Sequence, residues 1–277
     1  MNILLVINEQ KDPGYALANR VSEIVGSRAR LYTLEDAEVN NVSKMSYNEL
    51  KSIDIILVLG GDGTLLSIAK KASEFDIPVV GINLGRLGFL TEIEKDEIKS
   101  GIEKLLSGDY QIEERMMLSA SLSDGKTGTA LNDIVVTREI SSLKILDLDV
   151  YIDDEYVDDF KADGIIISTP TGSTAYSLSA GGPIVDPSLE SMIITPVCPH
   201  KMYSRTIIVP PYKSVTIKCK AEPDNRAVVA ADSEILGNLS GDDTAIVKMA
   251  VKKFKLIRFK GYKFFGVLHN KLVRKEG

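Results

Sequence analysis

The pentapeptide Gly60-Gly61-Asp62-Gly63-Thr64 joins an apolar run, Ile53–Leu59, to a segment, Thr64–Phe75, whose Leu65, Leu66, Ile68, Ala69 and Ala72 recur at helical spacing. A buried strand that turns into a helix through glycines puts the turn at the carboxyl edge of a parallel sheet, where α/β proteins bind ligands. With no Cβ at 60, 61 and 63, backbone N–H groups can approach a phosphate closely, and the helix start that follows favours an anion. Gly60, Gly61, Gly63 and Thr64 are therefore candidate phosphate contacts. Asp62 is the carboxylate of the turn and suits two tasks. It is a base for the proton of an attacking hydroxyl, or a magnesium ligand shared with substrate phosphates. The sequence leaves both open. A plain helix N-cap at Asp62 is the alternative, but three glycines are more than a cap requires. Neither G-x-x-x-x-G-K-S/T nor G-x-G-x-x-G occurs, which sets aside a P-loop and the usual dinucleotide fingerprint.

Two more runs leave strands with unusual composition. Asn83-Leu84-Gly85-Arg86-Leu87-Gly88-Phe89-Leu90 follows the strand Ile77–Ile82 and should emerge on the same sheet edge as Asp62. Asp163–Pro183 (DGIIISTPTGSTAYSLSAGGP) starts as a buried strand and ends as a loop dense in Ser, Thr and Gly, with one aromatic, Tyr176. A simple connector would be shorter and would lack the tyrosine. Small hydroxylated residues at this density suit close packing on a polar planar ligand. Leu131-Asn132-Asp133 opens a further strand, although an isolated Asn-Asp is ordinary turn chemistry.

The elements that must hold these groups change character along the chain. Up to residue 110, short apolar strands alternate with helices: Ile3–Ile7, Tyr15–Val25, Ile53–Leu59, Thr64–Phe75, Ile77–Ile82 and Asp96–Leu106. That order predicts an α/β domain with a parallel sheet covered on both faces. From 111 to 261, short strand-like runs with turn signals predict a mostly antiparallel β domain. They are Met117–Leu122, Ala130–Thr137, Leu146–Ile152, Gly164–Ser168, Arg205–Val209, Val215–Cys219, Ala227–Ala230, Ala245–Val251 and Phe254–Phe259. The tail, 262–277, reads as a helix over Tyr262–Val273 that returns to the first domain.

Among 277 residues, 33 basic against 39 acidic side chains leave a net charge of −6, which argues against nucleic-acid binding. Two cysteines, Cys198 and Cys219, and two histidines, His200 and His269, exclude a disulfide scaffold and a Cys/His zinc cluster. No apolar stretch reaches the ~18 residues of a membrane span, and the start has no basic lead-in, so a cytoplasmic chain without a membrane partner is expected. An acidic block, Asp147–Asp163, and a basic one, Lys252–Lys275, read most simply as solvated faces, with KKFKLIRFK placing its lysines and Arg258 on one side of a strand. Pairing of the two blocks between copies is the sharper alternative.

GGDGT, N-x-G-x-L-G-F-L, the Asn132-Asp133 pair, TPTGSTAYSLSAGGP and Ala231-Asp232-Ser233-Glu234 together resemble the NAD kinase family along nearly the whole chain. GGDGT alone is shared with diacylglycerol-type lipid kinases and 6-phosphofructokinases, whereas the TPTGSTAYSLSAGGP run is far more specific. The resemblance implies transfer of the γ-phosphoryl group of ATP to the 2′-hydroxyl of the adenosine ribose of NAD. Polyphosphate is an alternative donor, and magnesium or another divalent metal the cofactor. It implies Asp62 as catalytic base beside Gly63, Phe89 at an adenine pocket, and Asn132 with Asp133 on the nucleotide, although Glu is common where Asp133 stands. Lys161 and Asp163 match the nicotinamide side, with Lys144 a nearby polar contact. Thr174, Ala175, Tyr176, Ser177, Leu178 and Ser179 match the loop around the dinucleotide. Asp232 and Glu234 match a D-x-Q-like segment, with Glu where Gln is common. A homo-oligomer is also implied, usually a tetramer built on the β domain, with Cys198 and His200 reaching a neighbour's site. The alternatives are a related kinase acting on a lipid or sugar alcohol, and a non-catalytic NAD(P) sensor. The first would need an apolar acceptor groove, and the second a missing catalytic group.

Overall fold

Continuous apolar runs become strands buried on both faces, as parallel strands between helix layers require. The computed structural model describes residues 1–34, 37–85, 88–139, 144–201, 203–220, 226–259 and 264–273. Residues 86 and 87, and the expected start of the tail helix at Tyr262, lie outside these. The chain divides into two units, Met1–Glu114 with Phe254–Gly277, and Arg115–Lys253.

The first unit holds β1 (Asn2–Ile7), α1 (Ala16–Val25), β2 (Arg30–Thr33), β3 (Val42–Lys44), β4 (Ile55–Gly60), α2 (Asp62–Glu74), β5 (Val79–Asn83), β6 (Ile93–Glu94), α3 (Ile98–Ser107) and β7 (Gln111–Arg115). Its sheet runs β3-β2-β1-β4-β5 in parallel registers. Ile7 lies opposite Leu59, and Gly60 opposite Asn83, so the carboxyl ends of β1, β4 and β5 share one edge. The loops leaving those three strands therefore start side by side. Beneath them, α1 and α3 lay Ala18, Val21, Ile98 and Ile102 on Ile3, Leu5, Leu57 and Leu59. On α2 the buried apolar residues are Leu65, Ile68, Ala69 and Ala72, and the helix packs on β4 and β5. Asp12 starts α1 by accepting the N–H groups of Leu17 and Ala18, each at 2.9 Å.

The second unit holds β8 (Leu118–Leu122), β9 (Thr127–Ala130), β10 (Asp133–Arg138), β11 (Leu146–Ile152), β12 (Glu155–Ala162), β13 (Gly164–Ser168), the short α4 (Tyr176–Ser179), β14 (Met192–Val197), β15 (Ile207–Val209), β16 (Val215–Cys219), β17 (Arg226–Ala231), β18 (Glu234–Ser240) and β19 (Thr244–Met249). They form two antiparallel sheets, β15-β14-β13-β10-β17-β18 and β12-β11-β16-β19-β8-β9. Alternate residues of both, among them Ile134, Val136, Ile165 and Ile167 from one and Leu146, Leu148 and Val150 from the other, make a single core.

After this unit come β20 (Phe254–Arg258) and α5 (Phe264–Val273). The run Phe254–Phe259, expected in the β domain, instead joins the first sheet, where Leu256 pairs with Val79 and Ile257 enters the core. The boundaries thus fall at 114 and 253 instead of 110 and 261. Arg258, expected on a solvated face, is 5% exposed, and its guanidinium is held by Glu92 at 3.0 Å and Glu113 at 2.8 Å. The acidic block is also neutralised within its own unit. Lys201 meets Asp158 and Asp159 at 2.7 and 2.6 Å, and Lys220 meets Asp147 and Asp149 at 2.8 and 3.3 Å. Among the described residues no helix is long and apolar enough to cross a membrane.

Candidate active site

In the first unit, β4 ends at Gly60, Gly61 is extended, and α2 begins at Asp62, two residues earlier than the sequence pattern places it. Asp62 does not cap the helix. Its carboxylate reaches the loop after β5, where Oδ2 accepts the Phe89 N–H at 2.9 Å and Oδ1 the Leu90 N–H at 3.1 Å. Gly88 makes this possible, because a Cβ there would collide with Asp62 Oδ1. Leu84 donates its N–H to the Gly60 carbonyl at 2.8 Å, and Asn8 Nδ2 donates to Thr64 Oγ1 at 3.1 Å. From α5, the Lys271 ammonium lies 3.7 Å from Asp62 Oδ2 and 4.1 Å from the centre of the Phe89 ring. Phe264, two turns earlier on α5, packs on the same ring at 5.7 Å. Arg258 donates to the Phe89 carbonyl at 2.9 Å. The two glycine motifs are one bonded structure. Gly63 differs from its neighbours, for a Cβ there would meet nothing within 4 Å.

In the second unit, Asp232 sits in the β17–β18 turn with φ 46° and accepts the N–H groups of Leu131, Asn132 and Asp133 at 2.6, 2.8 and 3.2 Å. Thr169 donates its N–H to the Asn132 carbonyl at 2.8 Å and its hydroxyl to the Leu131 carbonyl at 2.6 Å. A Cβ on Gly172 would run into the Asn132 carbonyl, so the TPTG turn needs glycine to lie that close. The Asn-Asp pair, the TPTG turn and Asp232 thus meet at one end of the sheet. Asp133 is 6% exposed, and burial, aided by the charge of Asp232, pushes its carboxyl up to about 7. Burial raises Asp232 too, against the opposing pull of its three N–H donors. In the loop beyond, Thr174, Ala175 and Leu178 are half-buried, and Tyr176 and Ser179 exposed. Ser177, expected among the nucleotide contacts, is instead fully buried with its hydroxyl 3.0 Å from Thr195 Oγ1, so it shapes the loop from inside.

Asp163, Cys198 and His200 lie at the opposite end of the same sheet, next to β13 and β14, and Lys161, on β12 of the other sheet, meets them there. Asp163 pairs with Arg138 Nε at 3.0 Å, and the His200 N–H donates to the Lys161 carbonyl at 2.8 Å. Cys198 and His200 are exposed, as are Lys144 before β11 and Glu234 at the start of β18. From Asp133 to Arg138 the strand β10 advances five residues, ~17 Å at ~3.3 Å each. The expected second-unit residues therefore form two groups.

The family model described as the ATP-NAD kinase N-terminal domain matches residues 14–110, and that of the ATP-NAD kinase C-terminal domain matches 131–259. The NAD kinase of Moorella thermoacetica is 46% identical over 232 residues, 83% of this chain and 73% of that protein. That of Lachnoclostridium phytofermentans is 38% identical over 282 residues, 96% of this chain and 97% of that protein. The chain belongs to the NAD kinase family. A crystal structure of an NAD kinase from Archaeoglobus fulgidus in complex with ATP superposes with a TM-score of 0.74 at 28% identity, over 98% of both chains. Yeast NADH kinase complexed with NADH gives 0.86 at 24% identity, over 98% of this chain and 87% of that one, a likeness of fold.

Several residues at the NAD kinase motifs escape sequence patterns. Lys11, Arg258 and Lys271 lie far along the chain from the groups they approach and belong to no motif; only the fold brings them there. Gly88 had a visible signal, as the second glycine of the N-x-G-x-L-G-F-L run. Among the described residues no group of three or more His, Cys, Asp and Glu side chains is placed to hold a metal ion. A magnesium carried in on nucleotide phosphates needs only one or two protein carboxylates, and Asp62 is the one the glycine turn supplies.

Proposed function

We infer that the chain is a cytoplasmic ATP-dependent NAD kinase that phosphorylates the 2′-hydroxyl of the adenosine ribose, giving NADP and ADP. The observation that carries this reading is the joining of Asp62 to the Phe89-Leu90 backbone, in a chain whose relatives across both units are NAD kinases. Each carboxylate oxygen of Asp62 accepts one N–H and keeps further acceptor capacity for the ribose hydroxyl or for a metal. The 2′-oxygen bonds to the γ-phosphorus as the bond to the β,γ-bridging oxygen breaks. The hydroxyl proton passes to Asp62, and ADP leaves. Gly60, Gly61, Gly63 and Thr64 receive the donor phosphates; a magnesium ion, when bound, would neutralise phosphate charge, and Asp62 is the carboxylate that would hold it. Asn132, Asp133 and the exposed part of the Thr174–Ser179 loop contact the nucleotide, while Asp232 positions the Asn132-Asp133 backbone. Lys161, Asp163, Cys198 and His200, ~17 Å along β10 from Asp133, serve a neighbouring copy in a homo-oligomer, a tetramer by family resemblance.

The test is purified chain with NAD or NADH, each against magnesium-ATP and polyphosphate, with NADP(H) read by an NADP-specific dehydrogenase. NADP from NAD and ATP supports the reading. No product from any pair overturns it in favour of a non-catalytic NAD(P) sensor.

A further inference from the structure

Lys11 lies in the loop after β1, beside the loops after β4 and β5. Its backbone is fixed there: the Lys11 N–H donates to the Asn8 carbonyl at 3.0 Å, and Asn8 is tied to the Leu59 carbonyl and to Thr64 Oγ1. The ammonium rests over both glycine turns, 2.9 Å from where a Cβ on Gly61 would be and 3.5 Å from that of Gly85. Among the described residues Lys11 pairs with no carboxylate.

Gly61 has no backbone reason to be glycine. Its φ of −144° and ψ of −169° are extended values that any residue adopts. Apart from chain neighbours, Lys11 Nζ is the one heavy atom among the described residues that a Cβ there would meet within 4 Å. The missing side chain at 61 keeps room for an ammonium. An ammonium with three donors and no acceptor, held over a turn of backbone N–H groups, calls for an anion between them.

We propose that Lys11 binds the terminal phosphates of the ATP donor and that Gly61 is glycine to leave its ammonium in place. This rests on the kinase reading above and adds a donor ligand to it. The charge lies where the leaving ADP oxygen becomes negative, so Lys11 acts on both binding and rate.

Lys11→Met, Gly61→Ala and the double variant, made in the full chain, test it through KM for ATP, KM for NAD, kcat, melting temperature and calorimetric ATP binding. Lys11→Met should raise KM for ATP ~10- to 100-fold and leave KM for NAD within about twofold, the loss of one charged hydrogen-bonded contact. Gly61→Ala should shift the same parameter, because its methyl displaces the ammonium. The double variant should be no worse than Lys11→Met, since both remove one interaction. Lys11→Arg should recover part of the loss. ATP parameters unchanged in Lys11→Met overturn the proposal, and effects that multiply in the double variant overturn the role given to Gly61. A wild-type chain that makes no NADP fails the kinase reading instead, and calorimetric ATP binding to wild type and Lys11→Met still decides the fate of Lys11.

Discussion

Asp62 holds two backbone N–H groups and still offers acceptor capacity to the glycine turn, so the geometry keeps the base and metal-ligand roles alive. Gly63 is the cleaner case. Alanine is the better helix residue by up to ~1 kcal/mol, and nothing within 4 Å opposes a Cβ there. Gly63→Ala should therefore keep or raise the melting temperature while raising KM for ATP, because its methyl occupies the approach of a phosphate. An unchanged KM would remove that contact. Asp133 gives a pH signature. Its carboxyl, 3.8 in the ordinary state, is pushed up to about 7, so its contribution to stability is complete below about pH 4 and lost as pH rises through about 7. Ribose hydroxyls donate to the ionised form, so NAD affinity should strengthen between about pH 6 and pH 8, and Asp133→Asn should flatten that change. Calorimetric titration across this range is the check. A pH-independent wild type would contradict the contact.

Strands and loops with continuous apolar runs or dense motifs were legible in the sequence, and those defined by distant partners were not. β1, β4, β5, α2 and the GGDGT turn follow from local pattern alone. β12 is hidden by its own acids, because it is an edge strand whose Asp158 and Asp159 are met by Lys201 from the segment after β14. β14 is masked by Pro196, tolerated because β15 pairs only with Met192–Ile194 and leaves that side open. In the TPTGSTAYSLS run the density of hydroxyls is visible, but that Ser177 faces inward and Tyr176 outward depends on Thr195, eighteen residues on. Arg258 has the same origin: strict alternation puts residue 258 on the face of Phe254 and Leu256, opposite Lys253 and Lys255, so a solvated face was the wrong expectation, and only the fold supplies Glu92 and Glu113. Burial already raises the Glu92 carboxyl, with Arg258 as its counterweight. Arg258→Met should cost ~3–5 kcal/mol in urea unfolding, and Arg258→Met with Glu92→Gln should recover part of it. A loss under about 0.5 kcal/mol would show the ion pair to be incidental.

The molecule comprises two cores, one of them discontinuous in sequence, because β20 stands between β5 and β7. Residues 115–253 expressed alone should unfold cooperatively, while a chain ending at 253 should lose the first unit, deprived of β20 and Ile257. Circular dichroism and limited proteolysis of the two fragments decide this. Among the described residues of the two blocks, Asp147, Asp149, Asp158 and Asp159 on one side and Lys253, Lys255, Arg258 and Lys271 on the other meet opposite charges within their own units, so oligomerisation should not depend on these side chains. Sedimentation should show assembly of at least two chains that survives molar salt, and a fully active monomer would contradict the shared site. Where the whole molecule performs its chemistry is tested most directly by the rate of NADP formation in Asp62→Asn, which keeps the side-chain shape and removes its charge. At saturating NAD and ATP the rate should fall ~10²–10⁴-fold with NAD affinity nearly kept. Recovery on raising magnesium assigns the carboxylate to the metal, and none assigns it to the proton. Full activity at ordinary magnesium would contradict a catalytic centre in the glycine turn.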